Sequence, residues 1–130
     1  MKSLVVEDDF TSRILLQEIL KNFGTVHVAV NGKEAVEAFE FAFKDSEPYQ
    51  LICIDLMMPE MDGHTALKKI RAIEEAHGIL SSFGAKIIMT TALDDMKNVN
   101  TAYQNLCDAY LVKPIDKNRL LHELRSFGLI

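Results

Sequence analysis

The chain of 130 residues has no tryptophan, only three prolines, six glycines and two cysteines. So little glycine and proline excludes collagen-like and low-complexity architectures. Cys53 and Cys107 are too few for a disulfide framework, and Cys53 lies in an apolar run where a small buried hydrophobe is expected. A reducing cytoplasm is the compartment this indicates. No apolar run approaches the ~20 residues of a membrane span. Met1 to Asp9 carries one lysine and then acids, not the apolar stretch of a signal peptide. No basic run exceeds two residues, and 14 basic against 19 acidic side chains leave a net charge of −5. A broad nucleic-acid-binding surface, which needs clustered Lys and Arg, is therefore disfavoured.

What is present is ordinary globular composition, 48% hydrophobic and 25% charged. One domain over residues 1–130, with no output domain, is expected. Residues 3–6 form a short β-branched run. From Phe10 to Phe23 the apolar spacing turns helical through Leu15, Leu16, Ile19 and Leu20, and Gly24 is a stop. Residues 25–30 alternate around Val26, Val28 and Val30 as a strand. Asn31 with Glu34 resembles a capping box, opening a helix with Ala35, Val36, Phe39 and Phe43 on one face. Residues 51–54 form a continuous apolar run, as in a strand covered on both faces. Asp62 caps a helix bearing Leu67, Ile70, Ile73 and His77. Residues 86–90 and 109–112 are two further strands. Between them Asp94 or Asp95 caps a fourth helix, and Asp116 caps a fifth with Leu120, Leu121, Leu124 and Phe127. Two connections, Lys44 to Tyr49 and Gly78 to Ala85, are extended; Ile79, Leu80 and Phe83 are expected to pack back onto the domain. Five βα units demand a parallel sheet with helices on both faces.

In such a sheet ligands bind beyond the carboxyl ends of the strands. Glu7, Asp8 and Asp9 follow the first strand, Asp55 the third, Thr90, Thr91 and Ala92 the fourth, and Lys113 the fifth. Each alone has a plain structural explanation: a helix cap, a turn residue, a β-former, a loop signal. Together they bring three or more carboxylates, one or two hydroxyls and one ammonium to one crevice. Clustered carboxylates repel, and a hard divalent cation such as Mg²⁺ would offset them. Asp55 could then be an acyl-phosphate-forming nucleophile, with the metal, Lys113 and a threonine hydroxyl around the phosphoryl oxygens. By contrast His27, His64, His77 and His122 show no metal spacing, Met57 and Met58 supply gap-filling apolar surface, and Tyr110 reads as a core residue with its hydroxyl at the surface.

Taken together, these residues resemble a response-regulator receiver domain over the whole chain. The likeness rests on Leu4-Val5-Val6-Glu7-Asp8-Asp9 with Arg13, on Asp55 to Gly63, on Thr90-Thr91-Ala92, and on Ala109 to Pro114. It implies a flavodoxin-like α/β fold: a five-stranded parallel sheet of order 2-1-3-4-5 flanked by five helices. It further implies that Asp55 accepts a phosphoryl group from a histidine kinase or phosphotransfer protein. Asp8, Asp55 and the Met57 backbone carbonyl would ligate Mg²⁺, with Mn²⁺ as the alternative and Glu7 acting through water. Asp9 invites a one-residue shift of this set, but Glu7-Asp8 leaves Arg13 at the family's usual offset. Thr91, Lys113 and Ala92 match phosphate-contacting positions, Thr91 and Tyr110 the switch pair, and Lys113-Pro114 a cis peptide.

The implied role is a stand-alone, cytoplasmic, bacterial two-component or phosphorelay switch. It would remodel the surface of the fourth expected helix, the fifth strand and the fifth expected helix, which a downstream protein reads. It would act on no metabolite beyond its own phosphotransfer and dephosphorylation, bind neither nucleic acid nor membrane, and be a monomer or a phosphorylation-dependent dimer. Met57 and Leu93, two positions beyond Asp55 and Thr91, should orient an attacking water poorly, so a persistent acyl phosphate is expected. Three rivals stand beside this reading. A haloacid-dehalogenase-like phosphatase would place an aspartate where Met57 is. A flavodoxin-like electron carrier would need a phosphate loop where Glu7-Asp8-Asp9 would repel FMN. A degenerate scaffold is disfavoured by the complete acidic set.

Overall fold

Apolar strands and amphipathic helices alternate, and β1 (Ser3–Val6) and β3 (Leu51–Asp55) are buried from end to end. The computed structural model describes residues 1–80, 83–92, 95 and 106–130. The order is β1 (Ser3–Val6), α1 (Phe10–Leu20) running into a 3₁₀ turn (Lys21–Phe23), β2 (Val26–Ala29), α2 (Gly32–Lys44), β3 (Leu51–Asp55), α3 (Gly63–Ala76), β4 (Lys86–Ala92), β5 (Ala109–Lys113) and α4 (Lys117–Ser126). The helix expected from Asp94 or Asp95 falls on residues outside those described, so α4 corresponds to the fifth expected helix. The sheet has the order β2-β1-β3-β4-β5, with every pair parallel.

Alternate residues of each strand face opposite sides. Leu4, Val6, Ile52, Ile54, Ile87 and Met89 pack under α2 and α3, against Ala35, Phe39, Leu67 and Ile70. Val5, Leu51, Cys53, Ile88 and Leu111 pack against Leu16, Ile19 and Leu20 of α1 and Leu120 and Leu124 of α4. Cys53 is therefore a core residue, and burial pushes its thiol up to about 12. Side-chain caps set the helix starts. Asp9 accepts from the Ser12 N–H, Asn31 from Glu34, Asp62 from Thr65 and Asp116 from Asn118. Glu34 reaches back to the Val30 N–H at 3.1 Å, completing a variant of the capping box.

Five expectations need correction. On α1 the buried stripe is Leu16, Ile19 and Leu20, and Leu15 faces solvent. On β2 only Val26 of the valines packs against the core; Val28, and Val30 just past the strand, are exposed and Ala29 is buried, as fits an edge strand. Leu80 and Phe83 do not pack back; they are 68% and 81% exposed, while Ile79 is half-buried. On α3 the stripe through Leu67 and Ile70 continues into Arg71 and Glu74, whereas Ile73 is half-buried and His77 is exposed, stacked on the Phe43 ring. The strands β4 and β5 run to Ala92 and Lys113, beyond their expected ends.

The corrected helix face can be checked by denaturation. Ile70→Ala, in the layer between α3 and the sheet, should cost about 2–5 kcal/mol. Leu15→Ala should cost under about 1 kcal/mol. Equal losses in urea titrations would contradict this assignment.

Candidate functional site

The parallel register carries chemistry to one edge. Val6 pairs with Ile54, Asp55 with Thr90, Thr91 with Val112 and Ala92 with Lys113. The residues that end β1, β3, β4 and β5 therefore stand side by side. Glu7, just beyond β1, is completely buried. Its Oε1 accepts the Asp9 N–H at 3.1 Å and its Oε2 meets Lys113 Nζ at 2.8 Å. Asp55 is buried too, with Oδ2 3.3 Å from the same ammonium and Oδ1 3.4 Å from the Met57 N–H. Asp8 is exposed at the rim. One carboxylate oxygen each from Glu7, Asp8 and Asp55 can be chosen so that all three lie within 4.8 Å of one another.

Asp9 is drawn away from this cluster. Its carboxylate caps α1, and the Ser12 N–H is the main reason its pKa lies below the ordinary value. The three consecutive acids thus divide into a buried anchor, a rim carboxylate and a helix cap. Arg13 folds back over the same turn, its Nη1 donating to the Glu7 carbonyl at 3.1 Å and its guanidinium lying over the exposed Phe10 ring.

Asp55 is held close from below. A Cβ on Gly63 would lie 2.5 Å from the Asp55 carbonyl oxygen, and the Gly63 N–H donates to Leu56 O at 2.9 Å. Only glycine lets α3 begin so near the end of β3. Thr90 and Thr91 are buried, and the Thr91 hydroxyl donates to Ala92 O at 3.2 Å. Ala92 is exposed beside Lys113, and the Lys113-Pro114 peptide is cis. Tyr110 is not among the clustered groups. It packs half-buried into the α2/α3 layer, its hydroxyl oxygen out of solvent and interacting with the Cys107 thiol. This departs from a core tyrosine with its hydroxyl at the surface. Leu93 lies outside the described residues.

Electrostatics follow from this packing. Desolvation, then the Glu7 charge, pushes the Asp55 carboxyl from 3.8 up to about 7 against the opposing pull of Lys113. Burial works against the Lys113 ammonium, but the hydrogen bond and charge of Glu7 and the charge of Asp55 outweigh it and raise its pKa. Three carboxylates against one ammonium form an all-oxygen donor set with excess negative charge, a setting suited to a hard divalent cation.

Comparison with known proteins agrees with this geometry. The family model of the response regulator receiver domain matches residues 3–125. Chemotaxis protein CheY of Bacillus subtilis is 37% identical over 125 residues, covering 95% of this chain and 93% of that protein. CheY of Listeria monocytogenes is 32% identical over 128 residues, covering 97% of each. Among solved structures, the receiver domain of the Arabidopsis thaliana histidine kinase CKI1 complexed with Mg²⁺ and BeF₃⁻ superimposes with a TM-score of 0.80 at 28% identity, covering 98% of this chain and 89% of that one. A chain of the CheX–CheY–BeF₃–Mg²⁺ complex from Borrelia burgdorferi gives 0.80 at 25% identity, covering 98% and 89%. The chain belongs to the response-regulator receiver domain family, and its function is that of a CheY-like receiver in two-component signalling.

The raised Asp55 pKa has a consequence for stability. A carboxyl that holds its proton more tightly when folded contributes stability fully below its unfolded pKa of 3.8 and loses it as pH rises through about 7. With EDTA present, Asp55→Asn should gain stability relative to the parent, on the order of a few kcal/mol, between about pH 4 and about pH 8. A difference between the two urea midpoints that does not vary with pH would show that Asp55 does not carry this shift.

Proposed function

We propose that Asp55 is the phosphoacceptor of a receiver domain occupying residues 1–130. The observation that carries the reading is the ammonium of Lys113, shared between Glu7 and Asp55 at 2.8 and 3.3 Å beside the rim carboxylate Asp8. In the transfer, an Asp55 carboxylate oxygen attacks phosphorus in line. The P–N bond of a phosphohistidine on a histidine kinase or phosphotransfer protein breaks, and the bond's electron pair leaves with the imidazole. Lys113 offsets charge on the phosphoryl oxygens. The Thr91 hydroxyl and the Ala92 N–H are the further donors assigned to them. Asp8, Asp55 and the Met57 carbonyl would hold Mg²⁺, or Mn²⁺, with Glu7 acting through water; the ion supplies positive charge to the phosphoryl oxygens.

Phosphorylation replaces one charge on Asp55 with about −1.5 to −2. Lys113 and the Thr91 hydroxyl then gain a common partner, and Tyr110 follows Thr91. The Tyr110 hydroxyl starts out of solvent beside the Cys107 thiol, and the phosphoryl group acts by shifting a population. The surface affected is that of the fourth expected helix, β5 and α4, which a downstream protein reads in the cytoplasm. Self-catalysed dephosphorylation completes the cycle. It should be slow, because the Met57 side chain, half exposed beside Asp55, has no group to orient water.

Intact mass after incubation with acetyl phosphate and Mg²⁺ tests the reading. The parent should gain about 80 Da, one phosphoryl group. Asp55→Asn, or EDTA, should abolish the gain. Adduct on the Asn variant would move the phosphoacceptor elsewhere. An acyl phosphate that decays within seconds at saturating Mg²⁺ would contradict the role given to Met57.

A further inference from the structure

A second buried charge cluster lies at the amino ends of β4 and β5, and the phosphoryl chemistry does not use it. Arg71, on α3, is 6% exposed, and all three of its guanidinium nitrogens are engaged. Nε donates to Leu106 O at 2.7 Å, Nη1 to Glu74 Oε1 at 2.7 Å and to Ala85 O at 2.8 Å, and Nη2 to Asp108 Oδ2 at 3.1 Å. The two acids extend the cage. Glu74 Oε2 accepts the Ala85 N–H at 2.7 Å, and Asp108 Oδ2 accepts the Ile87 N–H at 2.8 Å. Every partner thus belongs to α3, to the start of β4 or to the residues that lead into β5.

We propose that Arg71 is a positioning residue for the phosphorylation site: it fixes where the chain re-enters the sheet at residues 106–108, and so sets where Tyr110 and Lys113 stand on β5. The argument is one of constraint. β5 is an edge strand of five residues whose ladder is with β4 alone. A short one-sided ladder leaves its placement to its ends. The far end is tied by Lys113 to Glu7 and Asp55. The near end is tied by Arg71 through Leu106 and Asp108, with the Asp108 N–H donating to Ile87 O at 2.8 Å. A planar guanidinium with fixed donor directions suits this task, which a lysine cannot reproduce. Cys107 lies between the two tethered residues and touches the Tyr110 hydroxyl, so its thiol reports on the segment.

The inference rests on Asp55 being the phosphoacceptor, and the experiment separates the two. Parent and Arg71→Met are compared well below their melting temperatures. One readout is the rate of phosphorylation at saturating acetyl phosphate and Mg²⁺. The other is iodoacetamide labelling of Cys107, located by peptide mass, with the core Cys53 as the control for global opening. Arg71→Met should still form the Asp55 adduct, but about ten- to a hundredfold more slowly, the upper figure being the cost of a group misplaced by about 1 Å. Cys107 labelling should accelerate about tenfold while Cys53 stays protected, the mark of local and not global opening. Arg71→Lys should fall between. Because Arg71→Met strands two carboxylates, Asp108→Asn serves as the milder variant and should move both rates in the same direction. A variant that melts earlier yet keeps the parent's phosphorylation rate and slow Cys107 labelling makes Arg71 a stabilising residue only and overturns the proposal. If the parent takes no phosphoryl group, the phosphoacceptor reading falls, while Cys107 labelling still tells whether Arg71 holds the entry to β5.

Discussion

Lys113 places one positive charge between two carboxylates that have almost no access to water. A buried carboxylate without a partner is costly, and two facing each other are worse. The ammonium offsets part of that cost only if β1, β3 and β5 end at the same level. The parallel register meets this condition, since Val6 pairs with Ile54, Asp55 with Thr90 and Ala92 with Lys113. A slip of one residue in any strand would turn its inner side chains to the other face and separate the charges. Sheet packing and site geometry are thus one constraint. The same apolar residues that bury both faces hold Glu7, Asp55 and Lys113 in reach of one another.

Much of this arrangement was legible in the residues. Continuous apolar runs mark strands buried on both sides, and Leu51 to Ile54 and Lys86 to Thr90 were recognisable as such without knowledge of their neighbours. Caps were equally plain, because Asn31, Asp62 and Asp116 stand immediately before helical spacing and each accepts an N–H two or three residues on. The convergence of Glu7, Asp8, Asp55 and Lys113 follows from a rule of open α/β sheets, that ligands bind beyond the strands' carboxyl ends. The strand order came from the resemblance, since periodicity says nothing about which strands are neighbours.

Where the reading of the residues went astray, the cause was local pattern overruled by tertiary position. Val28 looks like an inner residue by alternation, but an edge strand has too little cover to bury it. Leu15 has helical spacing with Leu16 and Ile19, and the packed stripe of α1 leaves it outside. Arg71 and Glu74 were invisible for a different reason. An arginine and a glutamate three apart on a helix ordinarily form a surface pair. Only the carbonyls of Ala85 and Leu106, distant in sequence, turn this one into a buried hub. Gly84 could have been a hint, since a Cβ there would fall 2.4 Å from the Glu74 Cδ, but a glycine before a strand has many ordinary explanations.

The two buried charge clusters differ in what they leave undone. Around Arg71 the charges balance: Arg71 and, more distantly, Lys86 face Glu74 and Asp108, and backbone groups take up remaining donors and acceptors. A satisfied network of this kind is rigid and asks for nothing from outside. At the strands' carboxyl ends three carboxylates face one ammonium, and burial first, then the Glu7 charge, raises the Asp55 pKa. Added positive charge relieves that end, and it then accommodates an anion that the carboxylates alone would repel. One end of β4 and β5 is therefore closed and the other open to ions.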